Sequence, residues 1–201
     1  MKQLKLIGWT SLGMATLFMW GCSKEPKEMI DHANNAIQEA IVAGAELYLP
    51  DEFLALQDSL NNALYLVESQ ESKIIRNYNL AEQKLESVIM LGQELVTSTE
   101  ARKEAIKGEI MATMDEAIAI VETNRRLIKE APRSKDGSMV LYTIGNELTS
   151  IEESLLESRS MMEKGEYLAT LKKVRDAREE ATSINKELQD ANIKYRRNAK
   201  A

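Results

Sequence analysis

Few side chains in this chain can do soft, nucleophilic or metal-binding chemistry: it has one cysteine, Cys22, and one histidine, His32. His32 follows Asp31 and stands four residues after Glu28. That spacing places a carboxylate and an imidazole one helical turn apart. A di-metal bundle, however, needs two Glu-x-x-His pairs and further glutamates, and no second histidine exists to complete one. Zinc needs three or four clustered ligands, so His32 is expected at the surface rather than on a metal. Seven of the ten methionines follow Cys22, among them the pairs Met111/Met114 and Met161/Met162. Thioethers can hold Cu(I), but Met114 and Met162 fall on apolar stripes, where methionine fills gaps in a core. Neither a cysteine–histidine nor a serine–histidine dyad can be assembled, and no glycine-rich phosphate loop occurs. The expectation is no catalytic residue, no metal and no cofactor.

Cys22 has a different chemistry, set by its surroundings. Lys2 and Lys5 precede a nearly uncharged run from Leu6 to Gly21, and Ser23-Lys24-Glu25-Pro26-Lys27-Glu28 begins polar sequence at once. A positive start, a short apolar stretch and a small residue before the cut are what an export signal requires. The run is shorter than the roughly 20 apolar residues of a spanning helix. Met19-Trp20-Gly21-Cys22 resembles the lipobox of bacterial lipoproteins, in which the cysteine becomes the acylated first residue. Trp20 stands where a small residue is usual. Ser23 resembles the outer-membrane type, which lacks the inner-membrane aspartate. The resemblance implies a signal peptide over residues 1–21, a palmitate-type acyl anchor on Cys22, a tether over 22–27, and attachment to the outer membrane facing the periplasm. An unpaired thiol would be a liability in an oxidising compartment, which favours acylation.

Charge excludes other partners. Removal of residues 1–21 takes away Lys2 and Lys5 and leaves 24 basic against 32 acidic residues, a net charge of −8. A nucleic-acid binder needs a basic face to neutralise phosphates, so none is expected here. The lost segment also holds both tryptophans and leaves Phe53 as the remaining phenylalanine. That is little for a sugar-stacking cleft. A peptidoglycan-cleaving enzyme working with a single glutamate is thus the weakest alternative, even though carboxylates are abundant.

The elements follow from apolar spacing. Ile30, Ala33, Ile37, Ala40, Gly44 and Leu47 recur at steps of three and four, as do Phe53, Leu56, Leu60, Ala63 and Val67, and then Tyr78, Ala81, Leu85, Val88, Gly92 and Leu95. Each set keeps one face of a helix apolar, and no run alternates by two. The chain is all-α. Ile110, Met114, Ala117, Val121, Asn124 and Ile128 repeat the first stripe. Leu141, Ile144, Leu148, Ile151 and Leu155 repeat the second, and Tyr167, Thr170, Val174, Ala177, Ala181, Ile184 and Leu188 the third. The offsets are 84 residues (Ala33 to Ala117), 88 (Phe53 to Leu141) and 89 (Tyr78 to Tyr167). This predicts two tandem three-helix units, over residues 28–105 and 106–201, in an elongated antiparallel bundle of coiled-coil type.

Turn chemistry places the joints. Pro50 is expected just before a helix whose positive end Asp51 and Glu52 favour. Asn77 can cap the third helix, Ser138 the fifth, and Lys164-Gly165 marks the last turn. No proline lies between Tyr78 and Ala131. A continuous helix over about 78–131 is favoured, against a break at Thr97-Ser98-Thr99-Glu100, which has capping-box spacing. Tyr48, Tyr78 and Tyr167 fall at helix ends, where packing of the ring with the hydroxyl at the surface is expected; a contact site is the alternative. Glu152-Glu153 and Glu179-Glu180 are expected on solvated faces. Lys194, Arg196, Arg197 and Lys200 suit a negative helix end, with anionic polymer or lipid head groups as the sharper alternative.

Ala33, Ala36, Ala40, Gly44, Ala45, Tyr48 and Pro50, then Tyr78, Ala81 and Leu85, resemble the bacterial lipoproteins that carry the domain of unknown function numbered 4398. Ala131-Pro132, Gly165-Glu166-Tyr167, Ala177 and Ala181 repeat part of that order. Leu49 departs from it, standing where alanine is usual. The resemblance implies a helical module of the cell envelope and brings no activity and no functional residue. Together these features predict a non-enzymatic, lipid-anchored adaptor, binding module or spacer. Its expected partners are membrane lipid, through acylated Cys22, and an envelope protein. A periplasmic carrier of small ligands is the alternative.

Overall fold

A computed structural model describes residues 24–131 and 135–198, all of them helix or short connection. Cys22, the segment before it, Pro132 and Lys200 lie outside the described residues. Six helices follow in order: α1 (Lys27–Ala43), α2 (Ala45–Tyr48), α3 (Pro50–Glu71), α4 (Asn79–Glu130), α5 (Lys135–Glu163) and α6 (Tyr167–Asn198). The fold is an all-α bundle.

α4 is the spine. Its 52 residues run through Thr97–Glu100 without a break, about 78 Å at the rise of an α-helix. α1 and α3 pack on its first half, α5 and α6 on its second. Ala36 of α1 faces Gly92, and Gly44 lies near Lys103, so α1 runs parallel to α4. On the other half Arg175 meets Glu109 and Arg178 meets Glu116, so α6 is parallel to α4 too. α5 returns antiparallel, with Arg125 on Glu152 near its middle and Met162 beside Met114 at its end.

Two apolar clusters fill the interior. Phe53, Leu56, Leu60, Ala63 and Val67 of α3 close on Ala33, Ile37 and Ala40 of α1 and on Ala81, Leu85, Val88 and Leu95 of α4. Ile110, Met114, Ala117 and Val121 of α4 meet Ile144, Leu148, Ile151 and Leu155 of α5 and Val174, Ala177, Ala181, Ile184 and Leu188 of α6. These are the faces that the three-and-four spacing marks.

Four local expectations are corrected. Gly44 is not one more step of the first stripe. It sits at φ 83°, in the left-handed region that glycine adopts at no steric cost, and ends α1. The backbone then turns through α2, which leaves Leu47 62% exposed rather than in the core. Pro50 is the first residue of α3, where its missing N–H costs nothing. Ser138 lies inside α5, which begins at Lys135, and so does not cap it. Asn77 stands one residue before the N-cap of α4, which is Tyr78, and its Oδ1 accepts the Asn79 N–H at 3.0 Å. Gly165, at φ 82°, donates to the Met162 carbonyl at 3.1 Å while Glu166 donates to that of Met161 at 3.1 Å, the paired closure of a Schellman turn.

Candidate functional site

Chemistry-bearing side chains converge midway along α4, where Tyr48 of α2 lies on one side and Tyr167, the first residue of α6, on the other. The buried stripe of α4 passes through Leu95, Thr99, Ile106 and Ile110. The step between Thr99 and Ile106 belongs to Lys103, whose side chain is only 19% exposed. Its apolar stem fills the stripe, its ammonium lies 5.5 Å from the centre of the Tyr48 ring, and it pairs with Glu100 at 2.8 Å. One turn on, Lys107 lies 4.8 Å from the centre of the Tyr167 ring and pairs with Glu104 at 2.5 Å. Tyr48 packs against the second apolar cluster although α2 belongs to the first half of the chain. Burial raises its phenol above the ordinary value; Lys103 opposes that shift, and Tyr167 adds to it. Hydrogen bonding to Glu104, then to Tyr167, raises the Lys107 ammonium. Each tyrosine–lysine pair lies within one half, and Tyr48 is the side chain that reaches from the first half onto the second core.

Beside this junction a groove of about 560 Å³ opens between α3 and α4. Leu49, Leu56, Leu91 and Leu95 form its apolar lining, with Glu52, Glu94, Ser98 and Arg102 among its polar groups. The volume lies in the range of small-molecule sites. On the second half Met111, Met114 and Met162 share a hollow of about 600 Å³ with Tyr167, Lys107, Asp115, Arg159 and Glu163. The pair Met111/Met114 of α4 thus comes together with Met162, but not Met161, of α5. Lys107 and Arg159 balance Asp115 and Glu163 in the same lining, and Met114 is buried in the core.

His32 is exposed and borders a shallow hollow with Asn35, Glu39 and Gln93. Among the described residues no three His, Cys, Asp or Glu side chains are grouped as metal ligands would be. Tyr78 departs from the surface placement expected for its hydroxyl: the residue is fully buried, and its oxygen has no hydrogen-bond partner. Sequence reasoning missed Lys103, because a lysine on an apolar stripe reads as an interruption. The signal was the unfilled step between Thr99 and Ile106. The tyrosine–lysine junction and the α3/α4 groove had no local signal, since each joins segments distant in sequence.

The fold and junction define a helical scaffold with two cores on one spine. The chain matches no protein-family model, no curated protein and no solved structure.

Proposed function

We propose that the protein is a lipid-anchored component of the bacterial cell envelope, without catalytic activity, that binds or spaces a partner away from the membrane. The observation that supports this best is the uninterrupted α4, about 78 Å long, carrying a core at each end and beginning beside the start of α1. Four residues separate Cys22 from Lys27, so an acyl chain on Cys22 would hold this end of the bundle close to the bilayer. Several acyl chains together give the stable anchoring that one alone does not. The two halves are divergent copies of one three-helix unit, 28–105 and 106–201. Matching stripes, buried on both sides of Lys103, support that reading. The resemblance to the family numbered 4398 belongs to the same proposal, as do the signal peptide over 1–21 and placement at the outer membrane facing the periplasm. Among the described residues no helix is long and apolar enough to cross a membrane.

The test is crosslinking in cells, with recovery of the full-length chain from membranes beside its Cys22→Ala form. The expected result is fatty-acid labelling and one enriched envelope protein, both lost in the variant. Labelling that persists without Cys22 would sink the anchor. The groove beside Leu49 and Arg102 favours a second reading, a carrier of small amphiphilic ligands. In that case native mass spectrometry of the purified protein shows a bound species that Leu91→Trp displaces.

A further inference from the structure

The connection between α3 and α4 carries the most exposed apolar pair among the described residues. Ile74 is 97% exposed and Ile75 72%, side by side in the stretch Ser72-Lys73-Ile74-Ile75-Arg76-Asn77. Lys73 and Arg76 flank them, and no acidic residue occurs between Glu71 and Glu82. This is unusual local chemistry in a chain with an excess of carboxylates. Nor is the loop a loose one. Arg76 Nη2 donates to the Glu71 carbonyl at 3.2 Å, the Lys73 N–H to that of Gln70 at 3.0 Å, and Asn77 holds the Asn79 amide. These bonds fix the backbone while the two isoleucines point to solvent. The corresponding turn of the second half, Lys164-Gly165-Glu166, has no apolar pair.

Position singles out one occupant. The contact of Ala36 with Gly92 and the parallel course of α1 and α4 bring Lys27 to within about one turn of the start of α4. The 23 residues before the described chain therefore enter at the same end of the bundle as Ile74 and Ile75. Cys22 to Lys27 spans at most about 18 Å when extended. We infer that the Ile74–Ile75 tip inserts into the head-group and acyl boundary of the bilayer, as a second, non-covalent foot beside the anchor; this rests on the proposed tether at Cys22. Apolar patches rimmed by polar residues mark such surfaces. Lys73 and Arg76 can keep their charges among anionic head groups while the isoleucines go deeper. Glu71 and Glu82, on the flanking helices, limit entry to the loop itself.

The experiment uses the full-length chain, recovered from membranes and reconstituted in phosphatidylethanolamine–phosphatidylglycerol vesicles. A bimane fluorophore is placed on Ile75→Cys or, for comparison, on Ser150→Cys of α5. The expected result is blue-shifted emission and quenching by bromine-labelled acyl chains at position 75, with neither at position 150. Equal or absent quenching at both overturns the inference, as does a tip shielded from bromolipid but crosslinked to a protein. The wild-type chain under the same label reports the tether separately. No uptake means Cys22 is acylated, whereas uptake defeats the anchor. The tip is then read from Cys22→Ala/Ile75→Cys added to the same vesicles, where quenching sustains the foot and its absence removes it.

Discussion

Gly92 and Ala36 show how closely α1 lies on α4. A β-carbon built on Gly92 would come 2.7 Å from that of Ala36 and 3.2 Å from its backbone oxygen, and neither is a flexible tip that can step aside. Gly92→Ala is therefore expected to destabilise by about 1–3 kcal/mol, despite alanine's better helix propensity, as read by denaturant unfolding. A gain in stability would mean that α1 moves away at little cost. Tyr78 leads to the opposite expectation. Its buried hydroxyl is unpaired, so Tyr78→Phe removes a desolvated oxygen and keeps the ring. Stability should be unchanged or higher by up to about 1 kcal/mol, and a clear loss would reveal a partner for the oxygen, such as a bridging water. The burial of the ring was legible from the stripe, since Tyr78 leads Ala81 and Leu85. The fate of its hydroxyl was not, because it depends on how α1 and α3 close over it.

At the scale of elements, the α4–α5–α6 seam is fixed by polar side chains as well as by its core. Asn124, fully buried on the apolar stripe, donates to the Ala181 carbonyl at 2.7 Å and accepts from Asn185 at 2.7 Å. Such a group fixes register, because any slip leaves it unpaired. Arg125 forks onto Glu152, with Nε to Oε1 at 2.8 Å and Nη2 to Oε2 at 2.6 Å. Those hydrogen bonds hold the Glu152 carboxyl below its ordinary value of 4.5. A depressed folded value gives stability that is complete above the unfolded value and lost as pH falls through the folded one. Both side chains are partly exposed, so Glu152→Gln should cost only about 0.2–1 kcal/mol at neutral pH. It should also flatten the acid limb of thermal stability below about pH 4.5, measured against wild type. Glu152 was expected on a solvated face, and the structure gives it a specific cation. Spacing alone reads helices and their buried faces well, because both follow the 3.6 period. It does not say which charged residue of one helix meets which of another, and at Gly44 and Ser138 it gave the wrong helix end.

At the scale of the whole molecule, the two cores are coupled through Tyr48 and Lys103. Tyr48→Ala removes a half-buried ring that rests on the far cluster and on the lysine stem. The expected cost is about 1–3 kcal/mol. More diagnostically, a single cooperative transition should split into two, followed by calorimetry. One sharp transition in the variant would show that α4 alone couples the halves. All-α character and the long connector follow from sparse prolines and from stripes that never change period. The junction needed tertiary contacts that no sequence window contains.

An unbroken α4 also transmits heading. In a bundle whose halves hang on one helix, the compass direction of the distal faces is set by the rotation of the proximal end about the long axis. One residue inserted between Thr99 and Ile106 would swing everything beyond it by about 100°, while seven would nearly restore the bearing. A molecule of this kind measures azimuth as well as distance.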